Sequence, residues 1–369
     1  MEDFIHTLNA VIWSPALVAF CLGAGLFFSI KSRFVQLRLI PEMWRLLFQK
    51  KEDEIGLSSF QALSLTLAGR VGTGNIAGVA TAICFGGPGA LFWMWVVAFL
   101  GASSAFVEST LGQIYKERIE GQYRGGPAFY IERGLKLKAY AWAFAIVTIL
   151  ASCFFCPGVQ SNSIALAWNE AFGLDAAVTA AIVASITCFV IVGGLRRIAT
   201  FTSWVVPFMA QAYIVVALII VGVNWEQIPA VMTLIVNSAF GFDSLTGGML
   251  GAAIAWGVKR GIYSNEAGQG TGPHASSAAA VSHPAKQGLG QAFSVYIDTL
   301  FVCSATGFMI LMTGCYNMQA PDGSMIFEGL KGVEAGPVYT QAAIDQLMPG
   351  WGGPFIAITI FFFAFTTIL

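Results

Sequence analysis

Six ionisable side chains stand inside long apolar stretches: Arg70, Glu108, Lys259, Arg260, Glu266 and Asp298. A charge in hydrocarbon is costly, and such residues usually line an ion or substrate path or relay protons. Three are positive and three negative, so mutual pairing would neutralise them, and structural ion pairing competes with a functional role at each. Arg70 and Glu266 lie in two glycine-rich interruptions, GRVGTGNIAG at 69–78 and GIYSNEAGQGTG at 261–272, and are candidates for a gate or brace. Lys259 and Arg260 are expected in the cytoplasmic half of the cavity wall. Glu108 and Asp298 are able to carry protons, which keeps proton coupling open.

The interruptions themselves suggest binding chemistry. Gly69, Gly72, Gly74 and Gly78 fall in the middle of one apolar segment. Each glycine costs about 1 kcal/mol against alanine in a helix. Unwound backbone at membrane depth is tolerated where it is buried in protein or lines a cavity, and a pair of interrupted segments in two halves of a chain points to a transporter binding site. The N–H groups freed at a half-helix N-terminus suit a carboxylate. The freed carbonyls suit a hard cation such as sodium. Close packing through small residues is the alternative, and Gly74 with Gly78 fits its four-residue spacing. Arg70, Thr73 and Asn75 in the same stretch are not what packing in lipid needs.

These segments require a membrane to cross. Of 369 residues, 56% are apolar and 11% charged; soluble domains carry about 25% charged residues. The net charge of −1 gives no basis for binding nucleic acid. We read nine spans, at 11–30, 58–83, 88–114, 139–170, 175–193, 199–223, 246–270, 288–315 and 352–369. Each approaches or exceeds the roughly 20 apolar residues a membrane helix needs. The two interruptions stand five spans apart, as two inverted five-helix repeats require, with 11–30 as an extra helix ahead of them.

Basic residues orient the spans. Lys31, Arg33, Arg38, Arg45, Lys50 and Lys51 follow the first span. Lys116, Arg118, Arg124, Arg133, Lys136 and Lys138 follow the third. Arg196 and Arg197 follow the fifth, and Lys286 the seventh. The opposite loops hold Lys331 among Asp322, Glu328, Glu334 and Asp345. This places the basic loops in the cytoplasm and the N-terminus outside. Segment 36–50 mixes Leu, Trp and Phe with Arg and Lys at helical spacing, as a helix lying on the inner membrane surface would; an ordinary basic loop is the alternative. The acidic N-terminus lacks the basic start and small-residue cleavage site of a signal peptide, so the first span is expected to be retained. The apolar run stopping at Leu369 suggests a polypeptide that continues or has been truncated. Cys153 and Cys156 form a CxxC without a second pair, best read as small packing residues. His6, His274 and His283 have no partners at ligand spacing, and no transition metal is expected.

Four blocks of sequence are recognisable. GTGNIAGVATA at 72–82, GGPGALFWMW at 86–95, GGPAFYIERGL at 125–135 and GIYSNEAGQGTG at 261–272 resemble the alanine or glycine:cation symporter family. The resemblance implies an all-α integral membrane protein with the LeuT-type fold. It also implies one transporter domain over 1–369, with the extra helix at 11–30, a first repeat at about 58–223, and a second from about 246 whose last two helices are missing. It implies import of a small neutral amino acid with sodium across the cell inner (plasma) membrane, with sodium as coupling ion and no other cofactor.

Residue roles carry over in the same way. Thr73 and Gly74 would offer backbone N–H groups to the substrate carboxylate, and Asn75 would help hold sodium or substrate. Ala68 and Val71 carbonyls with Thr366 and Thr367 hydroxyls would bind sodium, unless the threonines bond back to their own helix. Gln160, in the polar run Gln160–Ser163, would meet substrate polar groups, or else bond between helices. Ser264 and Asn265 would approach the amino group, and Trp256 would close the pocket. Arg70 departs from the expected pattern, because a full charge beside sodium ligands repels the ion unless it pairs with Glu266 or points away.

Three further functions stand against symport with sodium. A proton-coupled transporter would be driven by a pH gradient alone. A channel would show a symmetric filter and few spans, which two unlike broken helices oppose. An enzyme would show a catalytic motif, and neither HExxH, GxSxG nor a carboxylate cluster is present.

Overall fold

Backbone that leaves water must bond to itself, and apolar runs of this length do so as helices. The computed structural model describes residues 7–9, 11–47, 56–242 and 249–369. His6, Lys50, Lys51, residues 48–50 of the amphipathic segment and 246–248 of the seventh span lie outside the described residues.

The helices follow the apolar runs. They are α1 (Pro15–Lys31), α2 (Val35–Arg38), α3 (Ile40–Leu47), α4 (Ser59–Arg70), α5 (Val79–Gly86), α6 (Gly89–Ile114), α7 (Pro127–Gly134), α8 (Lys138–Leu150) and α9 (Cys156–Phe172). There follow α10 (Ala176–Ile191), α11 (Gly194–Val223), α12 (Ile228–Phe240), α13 (Leu250–Asn265), α14 (Gly272–Ser277), α15 (Pro284–Val295), α16 (Ser304–Thr313), α17 (Pro337–Asp345) and α18 (Gly352–Ile368). Two small hairpins, β1 (Glu117–Ile119) with β2 (Gln122–Arg124) and β3 (Asn317–Gln319) with β4 (Met325–Glu328), connect them. Each expected span has its helix or pair of helices.

Three helical runs are continued through π turns: Gly74–Gly78 ahead of α5, Ala151–Phe155 between α8 and α9, and Tyr296–Cys303 between α15 and α16. Among the described residues, four uninterrupted helical runs are long and apolar enough to cross a membrane: 89–114, 138–172, 194–223 and 284–313. Shorter apolar helices cover 15–31, 74–86, 176–191 and 352–368. The second expected span divides because the helix stops at Arg70 and resumes at Gly74.

One boundary and one helix differ from the sequence expectation. The seventh span ends at Asn265 rather than at 270, because Glu266, Gly268 and Gly270 adopt positive φ of 54°, 84° and 89°. Helix α12 was not expected; it docks on α6, where Trp93 Nε1 donates to the Ala239 carbonyl at 3.1 Å and the Gly89 amide to Ser238 Oγ at 3.0 Å. The segment read as amphipathic forms α2 and α3, and it buries Met43 and Leu46 in one cluster with Ala98, Ala102, Leu289 and Ala292 while Trp44 stays exposed.

Small residues let the central helices approach. A Cβ on Gly257 of α13 would stand 2.6 Å from the Ala90 carbonyl of α6. One on Gly288 would stand 2.7 Å from the Phe106 carbonyl. Close backbone contact is how helices associate where no hydrophobic force separates lipid from protein. Helix α4 starts on a capping box, with Gln61 N donating to Ser58 Oγ at 3.1 Å and Ser58 N to Gln61 Oε1 at 3.0 Å.

Gly257→Val must therefore push α13 off α6. Overpacking of this kind costs about 1–3 kcal/mol. The melting temperature of the detergent-purified protein is expected to fall, whereas Gly251→Ala, with open space around it, is expected to leave it unchanged.

Candidate functional site

The first interruption is a three-residue gap. Val71, with φ −79° and ψ 83°, leaves the helix after Arg70. Asn75 closes the gap from beyond: its Oδ1 accepts from the Gly72 amide at 2.9 Å. Its Nδ2 donates to the Asp298 carboxylate at 2.6 Å. The side chain expected to hold sodium or substrate is thus engaged within the protein, where it ties the first break to the π turn that carries Asp298. Asp298 is fully buried and also accepts from Ser264 Oγ at 3.0 Å and Thr299 Oγ1 at 2.7 Å. The Asn75 carbonyl accepts from Thr306 Oγ1 at 2.7 Å, and Tyr213 Oη meets Thr306 Oγ1 at 2.5 Å.

Gln160 and Thr367 also border the gap. Gln160 Oε1 accepts from the Thr73 amide at 3.1 Å. Thr367 Oγ1 shares its proton between the Ala68 carbonyl at 2.9 Å and, back along its own helix, the Phe363 carbonyl at 3.0 Å. Both side chains border Gly72, where a Cβ would stand 2.6 Å from Thr367 Oγ1 and 3.1 Å from Gln160 Oε1. Gly74 touches the second broken helix, its Cβ position lying 3.1 Å from Ser264 Cα. Ala68, Val71, Gly72, Thr73, Gly74, Gln160, Ser264 and Thr367 therefore gather at one place. The Thr73 and Tyr263 hydroxyls are buried there beside each other. Tyr263 was missed from sequence; its position beside Ser264 in the second interruption was the available signal.

Other expected residues stand apart. Thr366 Oγ1 bonds back to the Phe362 carbonyl at 2.9 Å and the Phe363 carbonyl at 3.1 Å, because it lies on a different side of α18 from Thr367. Asn265 is used in closing the second break: Nδ2 donates to Thr299 Oγ1 at 3.2 Å and Oδ1 accepts from the Ala267 amide at 3.0 Å. Trp256 lies eight residues before Ser264, about 12 Å along the helix axis. It stacks on Phe85, with centroids 4.9 Å apart, and does not reach the gap.

The charges are also arranged differently from expectation. Arg70 and Glu266 make no ion pair. Arg70, 1% exposed, donates through Nη1 to the Gln291 carbonyl at 2.9 Å and to Ser294 Oγ. Glu266 Oε2 instead accepts from Thr271 Oγ1 at 2.6 Å. Arg70 points away from the gap into α15, and its Coulombic neighbours are Glu266, Glu108 and Asp298. Lys259 and Arg260 are not on the basic-loop side. Lys259 Nζ donates to Asn9 Oδ1 at 3.2 Å and lies over the Trp13 and Trp256 rings, beside the N-terminal end of α1. Arg260 lies over Trp256 and Tyr263.

The second interruption is held by Glu108 of α6, whose carboxylate accepts from the Gly268 amide at 3.2 Å and the Gly270 amide at 3.1 Å. A cleft of about 300 Å³ reaches the other side of the same loop, lined by Thr66, Gly69, Ile198, Glu266, Thr271 and His274 among others.

Asn75→Leu would take one of the three side-chain donors from the Asp298 carboxylate and the side-chain acceptor from the Gly72 amide. Removing a partner from a buried charged group costs about 3 kcal/mol. Thermal unfolding in detergent is expected at clearly lower temperature, while Thr366→Val, which loses only a back-bond, is expected to melt within about 2 °C of the parent.

Comparison with known proteins gives one answer across the chain. A model of the sodium:alanine symporter family matches residues 1–369. The putative sodium/proton-dependent alanine carrier protein YrbD of Bacillus subtilis (strain 168) is 62% identical over 369 residues, covering 100% of this chain and 76% of that protein. The sodium/proton-dependent alanine carrier protein of Bacillus sp. (strain PS3) is 50% identical over 327 residues, 88% of this chain and 73% of its own. The sodium/alanine symporter AgcS of Methanococcus maripaludis is 39% identical over 375 residues, 100% of this chain and 80% of its own.

Proposed function

The chain belongs to the sodium:alanine symporter family, and from that premise we propose that it imports alanine, or an amino acid as small and neutral, with sodium bound at the first break. It is a multi-pass membrane transporter of the amino-acid:cation symport class, not an enzyme. The observation that carries the site assignment is the meeting of Gln160 with the Thr73 amide and of Thr367 with the Ala68 carbonyl, on the two sides of Gly72.

The amide oxygen of Gln160 sits on the N–H group a substrate carboxylate would take. Substrate entry exchanges one acceptor for a charged, stronger one. The absence of a side chain at Gly74 lets the two broken helices meet at Ser264, and the buried hydroxyls of Thr73 and Tyr263 supply further polar contacts. For sodium, the Ala68 carbonyl and Thr367 hydroxyl are two oxygens already 2.9 Å apart, and the Val71 carbonyl in the gap would add a third. Thr366 enters the shell only by giving up its bonds to Phe362 and Phe363. Asn75, Ser264 and Asn265 act mainly by holding the two breaks together, and Arg70 and Glu266 brace them without touching each other.

The two breaks, five spans apart and in contact at Gly74 and Ser264, support a LeuT-type pair of inverted repeats, the first at about 58–223 and the second from about 246, in one transporter domain behind the extra helix. The basic loops support placement in the cell inner membrane among lipids with the N-terminus outside. Sodium serves as coupling ion, no organic cofactor is needed, and nucleic acid is no partner. Ligands that favour one gate arrangement over another couple their binding through it. Proton coupling is the second reading, favoured by the three carboxylates of the core.

The test is radiolabelled alanine uptake into proteoliposomes under an inward sodium gradient, with potassium as control. Uptake that requires sodium is expected. Thr367→Val is expected to raise the sodium concentration for half-maximal uptake about tenfold, the equivalent of ~1.4 kcal/mol, and Thr366→Val less than about threefold. Sodium-independent uptake by the parent would refute symport with sodium. An unchanged sodium requirement in Thr367→Val would remove the ion from this site.

A further inference from the structure

The core carries more negative charge than it neutralises. Arg70 has Glu108, Glu266 and Asp298 as its Coulombic neighbours, and these four groups sum to −2 when all are ionised. Buried charge without a partner is strongly unfavourable, and one sodium ion at Ala68 and Thr367 would leave the sum at −1. Arg70 does not discharge the imbalance through direct pairs: its Nε and Nη2 are buried with no hydrogen-bond partner. A Cβ on Gly272 would stand 3.2 Å from Arg70 Nη2 and 3.7 Å from Glu108 Oε1, so the idle guanidinium edge and the Glu108 carboxylate flank the same small space.

Of the three carboxylates, Glu108 is the one that both clamps the second break and borders open volume. Its two oxygens receive the Gly268 and Gly270 amides, and these glycines hold φ of 84° and 89°, a conformation other residues rarely adopt. A mostly apolar cleft of about 710 Å³ between α1 and α6, with Glu108, Tyr130, Tyr263 and Gln269 in its polar lining beside Leu17 and Phe20 among others, opens onto it. Asp298 is fully enclosed, and Glu266 faces the separate cleft on the far side of the loop. The groups that bear on Glu108 are Arg70 from α4, Glu266 from the break and Tyr130 from α7, with Cys21 of α1 and Tyr263 of α13 lining the same cleft.

We propose that Glu108 is a proton-binding latch on the loop between α13 and α14. Ionised, it holds the loop by two charge-assisted hydrogen bonds. When a proton from water in the cleft adds to one carboxylate oxygen, that oxygen becomes a donor, its bond to the glycine amide is lost and the loop is freed to move α14. The sign follows: the latch is fully closed at high pH and opens as pH falls through the titration of Glu108, because the loosened loop is the state that takes up the proton. This adds a proton-linked gate to the sodium-coupled cycle and rests on the symport reading only for its consequence in transport.

Hydrogen exchange of the full chain in detergent, measured from pH 6 to 8.5 and corrected for intrinsic rates, reads the latch without substrate. Protection of residues 268–271 is expected to fall about tenfold toward low pH, the difference between a charged and a neutral acceptor. Glu108→Gln is expected to show low protection at every pH, while Glu132→Gln, on exposed surface, follows the parent. Parent protection that does not change with pH overturns the proposal, even where Glu108→Gln fails to fold. In proteoliposomes Glu108→Gln is expected to carry alanine on a sodium gradient with its pH dependence flattened; a parental pH profile also overturns the latch. A parent that carries no alanine at all refutes the transport function and leaves the exchange experiment to decide the latch.

Discussion

Every peptide group that leaves a helix inside this protein has to find another partner, because hydrocarbon offers none. The chain breaks two helices, and the side chains around each break answer that requirement. Asn75 takes the Gly72 amide, Gln160 the Thr73 amide, and Thr367 the Ala68 carbonyl. Glu108 takes two amides of the second break, and Asn265 a third. The polar residues of the core are thus placed first by backbone accounting. Binding chemistry is possible at those same points because a side chain that stands in for a missing helix bond is one that a ligand is able to replace.

The π turns give the second half of this arrangement. A wider turn from Tyr296 to Cys303 brings Asp298 and Cys303 to face Asn75 and Ser264, and Thr299 to meet Asn265. An α-helical path would have directed fewer of them to one side. The same widening at Gly74–Gly78 sits directly beyond the first gap. Two of the three π turns therefore fall where the two broken helices meet, and the long helices α6 and α11 supply the frame around them.

Much of this was legible in the amino-acid sequence, for identifiable reasons. Apolar run length located the spans, and glycine clusters located both breaks. Thr73 and Ser264 were named from the resemblance of their blocks to the family, and both stand at the breaks. What escaped depended on which way a helix faces. Thr366 and Thr367 are adjacent and chemically alike, yet only Thr367 turns toward Ala68. Lys259 and Arg260 precede the second break, and sequence gave no sign that they meet the N-terminal end of α1 through Trp13 and Asn9. Arg70 and Glu266 carry opposite charge in the two breaks, but Gln291, Ser294 and Thr271 satisfy them separately. Helix α12 was hidden because its apolar run is short and follows a longer one closely.

The bond from the Thr73 amide to Gln160 has a consequence for affinity. A tethered acceptor is present at high effective concentration, so a carboxylate arriving at the proposed site would have Gln160 as a built-in competitor. Weakly accepting compounds would lose that contest, which would favour carboxylates over neutral amides and amines of the same size. Such a site would also hold its cargo less tightly than an unoccupied amide would. For a carrier this would be useful: the tethered amide would return as the cargo leaves, and release would not have to expose bare backbone.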